Sequence, residues 1–211
     1  MTIQELVAAL AKTLKGALPG AKAHQLMSPK HRPGFKMKFD SPPRPGAVMI
    51  LLYEEDGHIQ FPLIQRSEYR GVHSGQIALP GGKAEESDAD LIETATREAQ
   101  EELGIDPQKI EIVGSLTSFF VAASNFQILP VVAYAKEFPQ FIPDEREVAG
   151  VVKADLEAML DPQTVKEKEI TPAEGITFDA PYYDLDGKVV WGATAMMLSE
   201  FVTLTKSIYG Q

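Results

Sequence analysis

Four residues in the stretch "REAQEE", Arg97, Glu98, Glu101 and Glu102, have types and spacing that could do chemistry. At 100° per residue on a helix, Glu101 falls at roughly −60° and Glu102 at roughly +40° from Glu98, so the three carboxylates share one face. Close like charges on a helix cost about 0.2–0.5 kcal/mol per pair, and Glu98 makes two such pairs. The apolar stripe Leu91, Ile92, Ala95, Ala99 and Leu103 lies about 50° from Glu102, whereas a solvated acidic face should lie opposite it. Carboxylates at the margin of a core need neutralising, and a hard divalent cation with oxygen ligands does so. Helix geometry alone leaves a decorated surface face as the competing reading. Arg97 precedes Glu101 by four residues, close enough to orient it.

These residues need a helix and a turn to position them. Ser87 is the expected cap of a helix that runs to Leu103 and stops at Gly104. Ahead of it, Pro80-Gly81-Gly82 permits a backbone turn that side chains would block, exposing carbonyls and amides to a ligand. Elsewhere, Thr2 and Glu5 form a capping-box pair ahead of an amphipathic helix over residues 2–16. Residues 18–45 read as a Pro- and Gly-containing connector carrying Lys22, Lys30, Arg32, Lys36, Lys38 and Arg44 against Asp40. Asp56-Gly57 and Asp186-Gly187 each mark a hairpin turn between strands. Strands are expected at about 110–117 and 126–136, a short helix near 153–160, and a closing helix through "GATAMMLSEFVTLTKSI". Hairpins mixed with helices imply an α+β fold, or a mixed β-sheet sandwiched between α-helices. The expected organisation is an N-terminal helix and connector over 1–45 and a main domain over 46–211, together one globular unit.

Composition limits the functions available. The chain has 211 residues, 44% of them hydrophobic, enough for a real core. It has no cysteine, which excludes disulfides, thiolate metal sites and thiol nucleophiles. The formal charge of −10 argues against nonspecific nucleic-acid binding. Glu5, Lys12 and Lys15 interrupt the start, so it has the apolar run of neither a signal peptide nor a membrane span, and a soluble cytoplasmic protein is expected. An acidic protein that handles phosphates needs local cations or bound metal.

The stretch from Gly82 resembles the Nudix box, G-x5-E-x7-R-E-U-x-E-E-x-G-U with U a bulky aliphatic residue. Arg97, Glu98, Glu101, Glu102, Gly104 and Ile105 match its second half, with Ala99 undersized for its position. The first half departs: Asp88 stands where the mid-box glutamate belongs, and the spacing from Gly82 to Arg97 is one residue longer. The resemblance implies a mixed sheet between helices and hydrolysis of a nucleoside diphosphate linked to another group. It implies Glu98, Glu101 and Glu102 as ligands of Mg²⁺ or Mn²⁺, the Gly82 carbonyl as a further ligand, and Arg97 as the residue that orients them. Glu101, Glu145 and Glu147 are the candidate general bases, with Glu147 preferred among those in the loop.

Upstream, "LIQRSEYRGVHSGQIALPGG" resembles the signature L-L-T-x-R-S-x3-R-x3-G-x3-F-P-G-G of the coenzyme A diphosphatase branch. Arg66, Ser67, Gly75, Pro80, Gly81 and Gly82 fit it, while Arg70 comes one residue early and Leu79 replaces the phenylalanine. The branch implies a coenzyme A-like nucleotide as the small-molecule partner; charge and the lack of an apolar span exclude nucleic-acid and membrane partners from the expectation, and a homodimer is an open option. Arg66, Arg70, Gly81 and Gly82 are the implied substrate-binding residues. His73 and Lys83 are further candidate cations, and Trp191 and Phe126 could stack on a base. An ADP-ribose, ADP-sugar or dinucleotide substrate is the alternative within enzymes; a nucleotide-sensing module without catalysis is the alternative outside them.

Overall fold

The computed structural model describes residues 1–29, 39–67, 75–171 and 177–211. Its centre is β1 (Arg44–Glu55), whose run of apolar residues is buried on both faces. Val48, Ile50 and Leu52 point into one core cluster, while Ala47, Met49, Leu51 and Tyr53 point into a second. The period of two along the strand thus assigns alternate residues to opposite layers.

β2 (His58–Arg66) returns antiparallel to β1 through the Asp56-Gly57 turn, with Glu55 paired to His58. The turn residues have φ of 52° and 81°, which the Asp-Gly pair accommodates. β3 (Ile77–Ala78) pairs with β2, and β4 (Gly81–Lys83) pairs with β1. After α3 (Leu91–Leu103) come β5 (Ile110–Ser115), β6 (Phe119–Val121) and β7 (Phe126–Ala135). β5 and β6 both pair antiparallel with β7, which runs parallel to β1, making the sheet mixed. β8 (Val148–Asp155) pairs antiparallel with β2 and completes an eight-stranded sheet among the described residues. A separate antiparallel sheet is formed by β9 (Val165–Ile170), β10 (Phe178–Leu185) and β11 (Lys188–Trp191).

α3 packs its Ala95, Ala99 and Leu103 into the second cluster. The first cluster holds Leu6 and Leu10 of α1 (Ile3–Thr13), Met159 of α4 (Leu156–Leu160), and Leu198 and Phe201 of α5 (Gly192–Tyr209). The mixed sheet therefore lies between helices, the expected α+β arrangement. Thr2 and Glu5 make the expected reciprocal cap of α1.

Several boundaries differ from the sequence reading. α3 is capped by Asp90, not Ser87, because Asp90 Oδ1 accepts from the amides of Ile92 and Glu93 at 2.8 and 2.9 Å. The helix expected over 153–160 begins at Leu156, because pairing with β2 keeps the chain extended through Asp155. The connector holds the short helix α2 (Ala21–His24), with Ala23, His24 and Met27 buried. Strands β3, β4, β6, β8 and β9 carried no clear sequence signal, being short, glycine-containing or mostly charged. Lys30, Arg32, Lys36 and Lys38 lie outside the described residues.

Candidate functional site

The turn that enters α3 is built on glycine. Gly81 has φ of 148°, and a Cβ there would run into the Ala47 carbonyl across the β1–β4 pairing. A Cβ on Gly82 would come within 2.5 Å of Glu98 Oε1. The backbone and the carboxylate therefore share a space that only hydrogen leaves open.

Arg97 organises the charges next to this turn. Its Nε and Nη2 hold Asp88 in a two-point pair at 2.9 and 3.0 Å, and Nη2 also donates to the Lys83 carbonyl at 3.0 Å. Nη1 donates to Glu98 Oε1 at 3.1 Å and to Glu101 Oε2 at 2.9 Å. The guanidinium, helped by the Glu85 amide and the Thr94 hydroxyl, holds the Asp88 carboxyl well below the usual carboxylate range. Asp88 thus stands at the mid-box position and makes a two-point ion pair to the box arginine. The longer spacing from Gly82 is compatible with that contact.

The three clustered glutamates differ in environment. Glu101 has a side chain 58% exposed, Glu98 is 13% exposed, and Glu102 is 2% exposed. Glu102 Oε2 accepts from the Gly81 amide at 2.8 Å, and Arg66 Nη1 stands 3.8 Å from Oε1. Burial pushes the Glu102 carboxyl up to about 7 against those two contacts, and the charges of Glu98 and Glu147 add to the rise. Burial likewise raises Glu98, opposed by Arg97 and reinforced by Glu101 and Glu147. These carboxylates are short of positive charge.

Among the described residues, no three acidic or imidazole side chains converge into a preformed metal cage. The donor chemistry still fits a hard cation: buried carboxylate oxygens with raised affinity for protons, set against a glycine backbone. Glu147 ends the turn at 145–147; its carbonyl accepts from the Ser67 amide at 2.9 Å, and its charge reaches both Glu98 and Glu102. The structure thus gathers Arg66, Gly81, Gly82, Arg97, Glu98, Glu101, Glu102 and Glu147 about one region. Arg70 and His73 lie outside the described residues.

A cavity of about 520 Å³ opens beside the glycine turn. Arg66, Lys83, Gly81 and Gly82 line its polar side, and Phe119, Phe126, Phe178 and Trp191 line its apolar side. Arg66 Nε is buried without a hydrogen-bond partner among the described residues. Phe126 also carries the Arg44 guanidinium 4.2 Å from its ring centroid. Sequence reasoning singled out Phe126 and Trp191 but missed the β6 segment and Ser28, which reach the cavity through tertiary packing. The apolar run "FFVAA" was the one available signal for β6.

The NUDIX domain family model matches residues 43–187. The chain is 36% identical over 170 residues to "Nudix hydrolase 15, mitochondrial" of Arabidopsis thaliana, covering 77% of this chain and 59% of that protein. It is 33% identical over 136 residues to "Uncharacterized Nudix hydrolase NudL" of Yersinia enterocolitica, covering 64% of this chain and 69% of that protein. The chain thus spans little more than half the length of the plant relative. Among solved structures, a Nudix hydrolase of M. smegmatis, RenU, superposes with a TM-score of 0.54 at 16% identity, over 81% of this chain and 88% of that one. That similarity concerns the fold. No helix among the described residues is long and apolar enough to cross a membrane.

Proposed function

Because the chain belongs to the Nudix family, we propose that it is a metal-dependent hydrolase splitting the diphosphate of coenzyme A or an acyl derivative, giving 3′,5′-ADP and the (acyl-)4′-phosphopantetheine. The observation that carries the reading is the pair of buried carboxylates Glu98 and Glu102 on α3, set against the Gly81-Gly82 turn that itself lines a cavity with Arg66. The upstream signature around Arg66 supports coenzyme A over other nucleoside diphosphates in this proposal.

Nudix hydrolases generally use divalent cations, and Mg²⁺ or Mn²⁺ is the ion assigned here. Glu98, Glu101, Glu102 and the Gly82 carbonyl are its proposed ligands. An ion held there would supply positive charge against the diphosphate and lower the pKa of a coordinated water. Arg97 acts on these groups as an orienting residue, fixing Glu98 and Glu101 from one guanidinium nitrogen. Arg66, part-exposed on the cavity wall, offers its terminal guanidinium nitrogens to a phosphate oxygen. Arg70 joins it in this reading. Glu147, exposed and electrostatically coupled to both buried glutamates, is the proposed base for the attacking water, with Glu101 and Glu145 the alternatives. A cytoplasmic location is part of the proposal.

A product assay tests the reading, with coenzyme A, ADP-ribose and NADH offered side by side in Mg²⁺ and in Mn²⁺. The expected result is 3′,5′-ADP from coenzyme A. Cleavage of ADP-ribose with coenzyme A untouched overturns the substrate assignment alone. No turnover of any of the three, with nucleotide still bound, turns the reading to a sensing module.

A further inference from the structure

Glu200 of α5 is fully buried, yet it touches none of the residues assigned to hydrolysis. Its Oε1 accepts from the Gly20 amide at 2.9 Å and from the Thr117 hydroxyl at 2.6 Å. Its Oε2 accepts from the Thr117 amide at 3.1 Å and lies 3.0 Å from His24 Nε2. One residue earlier, Ser199 donates to the Ala23 carbonyl at 2.6 Å. The carboxylate therefore binds three chain segments at once: the connector at 20–24, the loop between β5 and β6, and α5.

Each of these segments continues directly into the cavity wall. The connector leads to Ser28 and Pro29, Thr117 leads to Phe119, and α5 begins beside Trp191 at Gly192. His24 also stands edge-on to Phe119, with ring centroids 4.9 Å apart. The first and third segments lie outside residues 43–187, so the clasp joins both flanks of the family-matched region to its interior. The fit is close: Gly20 has φ of 51°, and a Cβ there would lie 3.2 Å from Thr117 Oγ1.

We propose that Glu200 is a positioning residue that sets the shape of the cavity wall, and so governs the affinity for the group joined to the diphosphate while leaving the hydrolytic step alone. The substrate part of this proposal rests on the hydrolase reading above; the clasp itself does not. Glutamine in place of Glu200 keeps the volume but turns an NH₂ toward donors, so at least one of the three segments must shift.

The test compares Glu200→Gln with Met159→Ala, a buried change in α4 on the same core cluster that lines no part of the cavity. Kinetics are measured on whichever of coenzyme A, ADP-ribose and NADH the parent cleaves. Glu200→Gln should raise KM about fivefold or more, comparable to one lost hydrogen bond, with kcat within about twofold. Met159→Ala should lower Tm and leave KM at the parent value. Trp191, the single tryptophan of the chain, reports the wall without any turnover. Acrylamide should quench its fluorescence more in Glu200→Gln than in the parent or Met159→Ala. Parent-like KM and quenching in Glu200→Gln overturn the proposal, as does a matching rise in Met159→Ala. If none of the three substrates is cleaved, the hydrolase reading fails and the quenching result still decides the clasp.

Discussion

Glu102 on α3 and Glu200 on α5 are both withdrawn from solvent, at 2% and 0% exposure, but their surroundings are opposite. Around Glu200, the Gly20 and Thr117 amides, the Thr117 hydroxyl and the His24 ring supply four contacts to two oxygens. Glu102 has the Gly81 amide, an arginine at 3.8 Å, and the like charges of Glu98 and Glu147. A buried polar group with its partners in place specifies structure, whereas one left short holds free energy in reserve for something absent from the chain. Glu200 joins segments that line a cavity, whereas Glu102 is proposed to complete its surroundings with a cation.

The largest expected effect follows from that shortage. Glu102→Gln should lower kcat on the order of a thousandfold, since loss of this proposed metal ligand would forfeit several kcal/mol of transition-state stabilisation. Metal-free, the same variant should be as stable as the parent or more so, because a buried charge is removed while an oxygen remains for the Gly81 amide. Glu200→Gln should do the reverse, losing about 1–3 kcal/mol at about 2–4 °C of Tm per kcal/mol. Equal melting shifts in the two variants would erase the distinction.

The proton linkage of Glu102 sharpens the contrast. Its carboxyl rises from 4.5 to about 7 on folding, so the folded state takes up a proton before the unfolded state does. The stability this gives the metal-free protein is complete below pH 4.5 and is lost as pH rises through about 7. A metal ion held by Glu102, as proposed, would displace that proton, so the melting shift produced by Mn²⁺ should be larger at pH 8 than at pH 6. In Glu102→Gln, metal-free melts should lose this component of the pH slope.

Arg97→Lys comes next. Lysine cannot hold Asp88 at two points while also reaching Glu98, Glu101 and the Lys83 carbonyl. Activity should fall about 10- to 100-fold, the range for residues that orient metal ligands. Turnover at the parent rate would return Arg97 to a surface ion-pair role. The smallest effect belongs to the exposed member of the cluster. Glu101→Gln should change metal-free stability by less than about 1 kcal/mol, because its carboxylate is more than half exposed and solvent screens its pair with Arg97. Its turnover and metal-induced melting shift should both drop if it is a ligand; unchanged values would leave Glu98 and Glu102 as the binding pair.

The two glutamates also differ in how far they could be read before the fold was known. Glu102 sits in a cluster whose members lie within five residues on one helix, so a rotation of 100° per residue placed it near the apolar stripe. The glycine turn, the Asp56-Gly57 hairpin and the capping box at Thr2 were legible for the same reason: each is a local interaction. Asp90 displaced Ser87 as the cap of α3 because both residues offer a suitable oxygen and only the path of the turn decides which one meets the amides.

Glu200 had no such signature. Its partners Gly20, His24 and Thr117 lie 180, 176 and 83 residues away, and in the sequence it looks like one of two adjacent polar residues, Ser199 and Glu200, interrupting the apolar run "MMLSEFV". The sequence by itself determined the acidic helix, the glycine turn and the alternation of β1, since all depend on helix and strand periodicities and on local sterics. Only the tertiary structure decided that Glu102 is buried with too few donors, that Arg97 spans Asp88, Glu98 and Glu101, and that the connector, the β5–β6 loop and α5 meet at Glu200. Burial and the satisfaction of buried polar groups depend on which distant segments close over a residue, and that is set by packing the whole chain.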